Sequence, residues 1–159
     1  MTVLDAPAPI APAAVAPAPA APATAARPAL PVLTVTEPLP GFPGYREYAL
    51  LEAVPASAGQ GLVCWLQSVD PAGPRFLAVA AASFFPDYAP ALPRGVRGEL
   101  GLTEDAEPEL YCIVTVPDGD VGRATANLRA PLVVHAVAGL ARQVVLHDGD
   151  HPIRRPLRR

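Results

Sequence analysis

The sequence predicts an all-β fold, a compact antiparallel β-barrel-like single domain over residues 32–157 with at most one short helix. Three observations predict it. Residues 62–69 and 110–116 are short apolar runs rich in β-branched and aromatic side chains, which suit a pleated, buried surface. Glycine and proline recur as corners between such runs, and little of the chain carries a helical period. So many apolar strands would also leave adhesive edges unless the sheet closed on itself.

Taken in order, residues 1–31 form an Ala/Pro alternation with almost no charge and no aromatic residue. Such a segment buries too little apolar surface to offset its ordering entropy, so a disordered tail with polyproline-II character is expected. A first strand is expected at 32–35, then a tight turn over 39–45, where Gly41 and Gly44 alternate with Pro40 and Pro43. The next strand is expected at 48–52 and a small-residue loop at 55–61. Residues 62–69 and 75–79 read as a hairpin about Asp70-Pro71-Ala72-Gly73-Pro74. Phe84 and Phe85 are adjacent, and in a strand they would face opposite sides, leaving one to be covered by another layer or a partner. Pro93 and Gly101 bracket one or two helical turns. An acidic loop, 104–109, leads into the strand at 110–116. Two further segments, 133–137 and 140–146, make a hairpin about Ala138-Gly139.

At the centre of this order lies the block Thr125-Ala126-Asn127-Leu128-Arg129-Ala130-Pro131, followed by Leu132-Val133-Val134. Pro131 locks its own φ and drives Ala130 to an extended conformation, while Asn127 tolerates a tight corner and can bond its own backbone. Gln67, Ser68, Thr125, Asn127 and Gln143 are polar residues set in apolar strands, and their first expected role is to satisfy backbone groups at barrel corners.

Length and charge narrow the function classes. A chain of 159 residues supports one continuous core. Residues 32–153 carry seven arginines against fourteen carboxylates, whereas the last six residues hold four arginines. An acidic body with a basic tip disfavours direct nucleic-acid binding. All cationic residues are arginine, and no lysine occurs. No proline-free apolar run approaches the length of a spanning helix, and the N-terminus lacks the basic start of a secretory signal, so a cytoplasmic protein without membrane contact is expected. Cys64 and Cys112 each sit in a strand-like run, where a thiol acts as a small hydrophobe.

The chemistry available to the side chains is thin. His147, Asp150 and His151 cluster near the C-terminus and define an alternative, a small metal-assisted hydrolase, although the intervening Asp148-Gly149 reads as a turn. Asp118-Gly119-Asp120 lacks the further ligands of a calcium loop and reads as a hairpin turn. His135 lies within an apolar strand and is expected to be structural, and its combination with Ser83 has no distinguishing spacing. No nucleophile-elbow, phosphate-loop or dinucleotide fingerprint occurs, and no cofactor is implied.

Seven short blocks in order resemble the FliW family of flagellar assembly factors: Gly41-Phe42-Pro43-Gly44-Tyr45, Leu66-Gln67-Ser68, Phe84-Phe85-Pro86-Asp87-Tyr88, Glu99-Leu100-Gly101-Leu102, Ile113-Val114-Thr115-Val116, Thr125-Ala126-Asn127-Leu128 with Ala130-Pro131, and Gln143-Val144-Val145-Leu146. The chain departs from the family pattern at Ala80-Ala81-Ala82, where relatives have Asn-Pro-Phe, and at Ala141, where many have glycine. The resemblance implies a non-enzymatic, β-barrel-like protein that binds cytosolic flagellin. When free of flagellin, it binds and antagonises CsrA, an RNA-binding translational repressor. The resemblance also points to Gly41, Pro43, Gly44, Gln67, Thr125, Pro131 and Gln143 as structural motif positions. Chemistry adds Phe84, Phe85, Asp87, Tyr88 and Asn127 as a candidate partner-binding set, on the expectation that the aromatic cluster is exposed.

Overall fold

The computed structural model describes residues 28–54, 61–147 and 149–157. Of the tail expected over 1–31, residues up to 27 lie outside the described residues, while 28–31 belong to the first strand; of the small-residue loop expected over 55–61, residues 55–60 lie outside them. Nine strands form one sheet: β1 Pro28–Val35, β2 Glu47–Val54, β3 Val63–Ser68, β4 Arg75–Ala80, β5 Glu109–Thr115, β6 Thr125–Ala126, β7 Leu132–His135, β8 Leu140–Gln143 and β9 Arg155–Pro156. Seven of them close a barrel in the order β1-β2-β3-β4-β5-β7-β8 and back to β1, while β6 and β9 extend one end of β5. The all-β, barrel-like fold therefore stands.

Two details differ from the expectation. The barrel is antiparallel at every contact except β1–β8, which run parallel with Thr34 opposite Leu140 and Val35 opposite Ala141. A ring of seven strands cannot alternate direction all the way round, so an odd count forces a parallel contact somewhere. Among the described residues there are also two short α-helices rather than one, α1 Ala81–Phe84 and α2 Arg94–Glu99. In α1, three consecutive alanines favour a helical turn, and Pro86 then forces Phe85 out of it, to φ −134° and ψ 74°. α2 starts after Pro93 and ends at Gly101, whose φ is +73°. There Gly101 N–H bonds to Gly98 and Leu102 N–H to Arg97, a Schellman closure that only a left-handed residue at Gly101 permits cheaply.

The core has three parts, which explains why several strands are apolar on both faces. Inside the barrel lie Leu33, Val35, Tyr48, Leu50, Cys64, Leu66, Ala78, Tyr111, Leu132, Val134 and Ala141. The outer faces of β4 and β5 bury Val79, Cys112 and Val114 against Ala81, Phe85, Ala124, Ala126 and Leu128. The outer face of β7 turns Val133 into a third cluster, beneath α2, with Val96, Leu100, Leu102, Val144 and Leu146. Burial pushes the thiols of Cys64 and Cys112 up to about 12, so both behave as core hydrophobes rather than nucleophiles.

A polar clasp holds α2 to the barrel seam. Glu99 accepts hydrogen bonds from the Thr36 hydroxyl at the end of β1 and, at 2.5 Å, from Arg142 on β8; Arg142 also reaches Glu37 at 3.2 Å. The Thr36 hydrogen bond, with the Arg142 guanidinium, holds the Glu99 carboxyl below its ordinary value of 4.5. A depressed acid stabilises the fold fully above that ordinary value, and its contribution drains away as pH falls through the lower folded value. Glu99→Gln is accordingly expected to flatten the acid limb of the unfolding curve below about pH 4.5 and to leave its neutral-pH shape unchanged, as read by chemical denaturation across pH.

Candidate functional site

The Asn127 corner is built as its residue types require. Asn127 Oδ1 accepts from the backbone N–H groups of Arg129 at 2.9 Å and Ala130 at 3.2 Å, while its own N–H bonds to Ile113 on β5. Pro131 is buried, and the Ala130 carbonyl accepts from Gln143 Nε2 at 3.0 Å. Leu128 is fastened on both sides, by its N–H to Pro152 and by its carbonyl accepting from the Tyr88 hydroxyl at 2.6 Å. Ser68 is buried and its Oγ accepts from Asp70 N–H. Ser68, Asn127 and Gln143 thus each bond a backbone group near a strand end. Gln67 differs: it is exposed, because its place in β3 turns it to the outer face. Thr125 is half-buried in β6, opposite Thr115 and Pro156.

This corner forms one side of a groove of about 430 Å³ at one mouth of the barrel. Leu39 and Pro40, from the turn after β1, make one wall; Phe76 of β4 with Ile113 and Thr115 of β5 make another. Asn127, Ala130, Gln143, Val145, Ile153 and Arg154 complete it. Val145 and Ile153 are half-exposed large aliphatics, at 50% and 52%. Gly41, with φ +89°, lets the 39–45 turn fold back so that Phe42 packs edge-on against Phe76, ring centres 5.4 Å apart. The turn, the end of β5, the Asn127 corner and the end of β8 are far apart in sequence yet meet here. Arg154 is the single formally charged residue in the lining.

The aromatic segment is placed differently from the exposed cluster expected of it. Phe85 is 9% exposed and lies in the outer core; Tyr88 is half-buried and bonded to Leu128; Phe84 is half-buried and covers Gly61. Asp87 is at the surface, with Pro86 beside it. The physical reason is the helical turn α1, which lets Phe85 tuck over β4 and β5 instead of standing out from a strand. Arg155 of β9 sits 5.6 Å above the Phe85 ring and covers part of what remains.

The metal-assisted alternative finds no support. His147 and Asp150 are exposed, and the His151 ring packs edge-on against Tyr88 at 5.2 Å. Among the described residues no three His, Cys, Asp or Glu side chains converge as metal ligands, and Asp148 lies outside them. His135 Nδ1–H donates to the Leu100 carbonyl at 2.7 Å, anchoring the end of α2 as a structural histidine. The groove residues that sequence reasoning missed are Leu39, Phe76, Ile153 and Arg154. Alternation shows which face of a strand is apolar, but not which barrel end opens to solvent.

The chain is thus one of the small closed β-barrels, with an apolar, polar-cornered groove at one mouth. Sequence comparison is specific about which. The profile described as FliW protein matches residues 24–157, and the chain belongs to that family. It is 38% identical over 126 residues to the flagellar assembly factor FliW of Bdellovibrio bacteriovorus, covering 79% of this chain and 69% of that one. It is also 38% identical over 93 residues to the flagellar assembly factor FliW of Moorella thermoacetica, covering 58% of this chain and 59% of the relative. A crystal structure of the flagellar assembly factor FliW superposes with a TM-score of 0.68 at 29% identity, over 79% of this chain and 84% of that chain. No helix among the described residues is long and apolar enough to cross a membrane.

Proposed function

We propose that this chain acts in the cytoplasm as a non-enzymatic partner-switching protein. It binds flagellin awaiting export and, once free of flagellin, binds and antagonises CsrA, so that flagellin translation follows export. Membership of the FliW family carries this reading. The physical features agree with it. Fourteen carboxylates against seven arginines over residues 32–153 suit a basic RNA-binding partner by charge complementarity, and the barrel-mouth groove offers apolar surface for a second partner. Neither partner requires chemistry at a metal, cofactor or nucleophile. In this reading the chain makes no direct contact with nucleic acid or membrane.

The deciding experiment mixes the purified chain with flagellin and with CsrA from the same organism and measures each affinity by calorimetry. Binding of both, with CsrA affinity falling as ionic strength rises, is the expected result. Adding flagellin to a preformed complex with CsrA then tests the switch, and release of CsrA is expected. A chain that ignores both proteins at micromolar concentration ends the proposal.

A further inference from the structure

The edge of β8 that β1 pairs with is used only as far as Ala141; past it, among the described residues, the edge is open. Along residues 140–146 the backbone alternates. Val144 N–H bonds to Pro131 and Leu146 N–H to Arg129, so these even positions face β7 and the segment before it. The odd positions face the other way, where β1 lies: Ala141 accepts from Thr36 N–H at 2.9 Å. There β1 ends, because the chain turns off through Glu37 and Pro38, and Pro38 has no N–H to continue the ladder. Beyond Ala141, no backbone bond among the described residues reaches the β1-facing groups of Gln143 or Val145. Both residues line the groove.

We infer that the groove takes an extended apolar segment of flagellin by strand addition to the Gln143–Val145 edge, in the place where β1 leaves off. The inference rests on the reading that flagellin is a partner of this chain. Unpaired N–H and C=O groups along an edge select an extended backbone rather than a helix, whose own groups are already bonded. The flanking side chains, Leu39, Phe76, Val145 and Ile153, select apolar residues at alternate positions. Charge separates the two proposed partners: Arg154 is the groove's single formal charge, so a basic segment is disfavoured there, whereas the acidic body elsewhere suits one. A carboxylate in the incoming segment would meet Arg154 at the rim.

The test uses the full chain and flagellin from the same organism. Amide hydrogen exchange at Gln143 and Val145 is expected to slow at least tenfold on adding flagellin. Ile153→Asp, at a half-exposed position, is expected to weaken flagellin binding at least tenfold while CsrA affinity stays within twofold. Val145→Pro removes one edge donor and is expected to weaken flagellin binding likewise; should it unfold, Ile153→Asp and the exchange data decide. Unprotected amides, or an Ile153→Asp chain that binds flagellin within twofold of the original, overturn the groove assignment while flagellin binding itself stands. An unsubstituted chain that fails to bind flagellin overturns the functional reading instead, and the groove assignment with it.

Discussion

Replacing Phe85 with alanine is expected to destabilise the protein by about 3–5 kcal/mol. The ring is 9% exposed and packs with Val79, Cys112, Val114, Ala126 and Leu128 between the barrel wall and the segment that follows β5. Its removal leaves a cavity that this surround can close only in part, since the neighbouring strands are held by ladder bonds. Set against a typical folding free energy of about 5–15 kcal/mol, such a loss is a large share of the total. Urea unfolding followed by the fluorescence of Trp65 measures it. The outcome matters for function as well. If Phe85→Ala cost under about 1 kcal/mol and abolished flagellin or CsrA binding, Phe85 would be a contact residue and the packing account of the aromatic segment would be wrong.

Asn127→Ala is expected to cost on the order of 2–3 kcal/mol, because it strips the acceptor from two backbone N–H groups, those of Arg129 and Ala130, at a half-buried corner. Asn127→Asp keeps the acceptor and is expected to recover most of the loss at neutral pH. The same corner supports the groove: Ala130 lines it and its carbonyl holds Gln143. Asn127→Ala should therefore weaken flagellin binding in step with stability, whereas Ile153→Asp should weaken binding with little change in the denaturation midpoint. That contrast distinguishes a residue that shapes the groove from one that lines it.

The aromatic segment shows where local reading stopped. Phe84-Phe85 invited the view that one ring must stand out, because in a strand adjacent side chains diverge. Three alanines before it made a helical turn cheaper, and the turn brought Phe85 to the outer core while Phe84 came to rest over Gly61. Gln67 was misplaced for a related reason: its neighbours in β3 are apolar on both sides, so their pattern does not show which parity faces inward.

What the amino-acid order determined unaided was everything local or periodic. The strands at 62–69 and 110–116, the hairpin about Asp70–Pro74, the helix between Pro93 and Gly101 and the Asn127–Pro131 corner all follow from side-chain bulk, β-branching and restricted φ, and each is present. Family membership was legible too, since it rests on short motifs in order. Only the closed tertiary structure decided the parallel β1–β8 seam, the burial of Phe85 and the meeting of Leu39, Phe76, Asn127, Gln143 and Ile153 around one groove. Those depend on how many strands close the ring and where one strand ends beside another, and such distances between remote segments leave no mark in the spacing of neighbours along the chain.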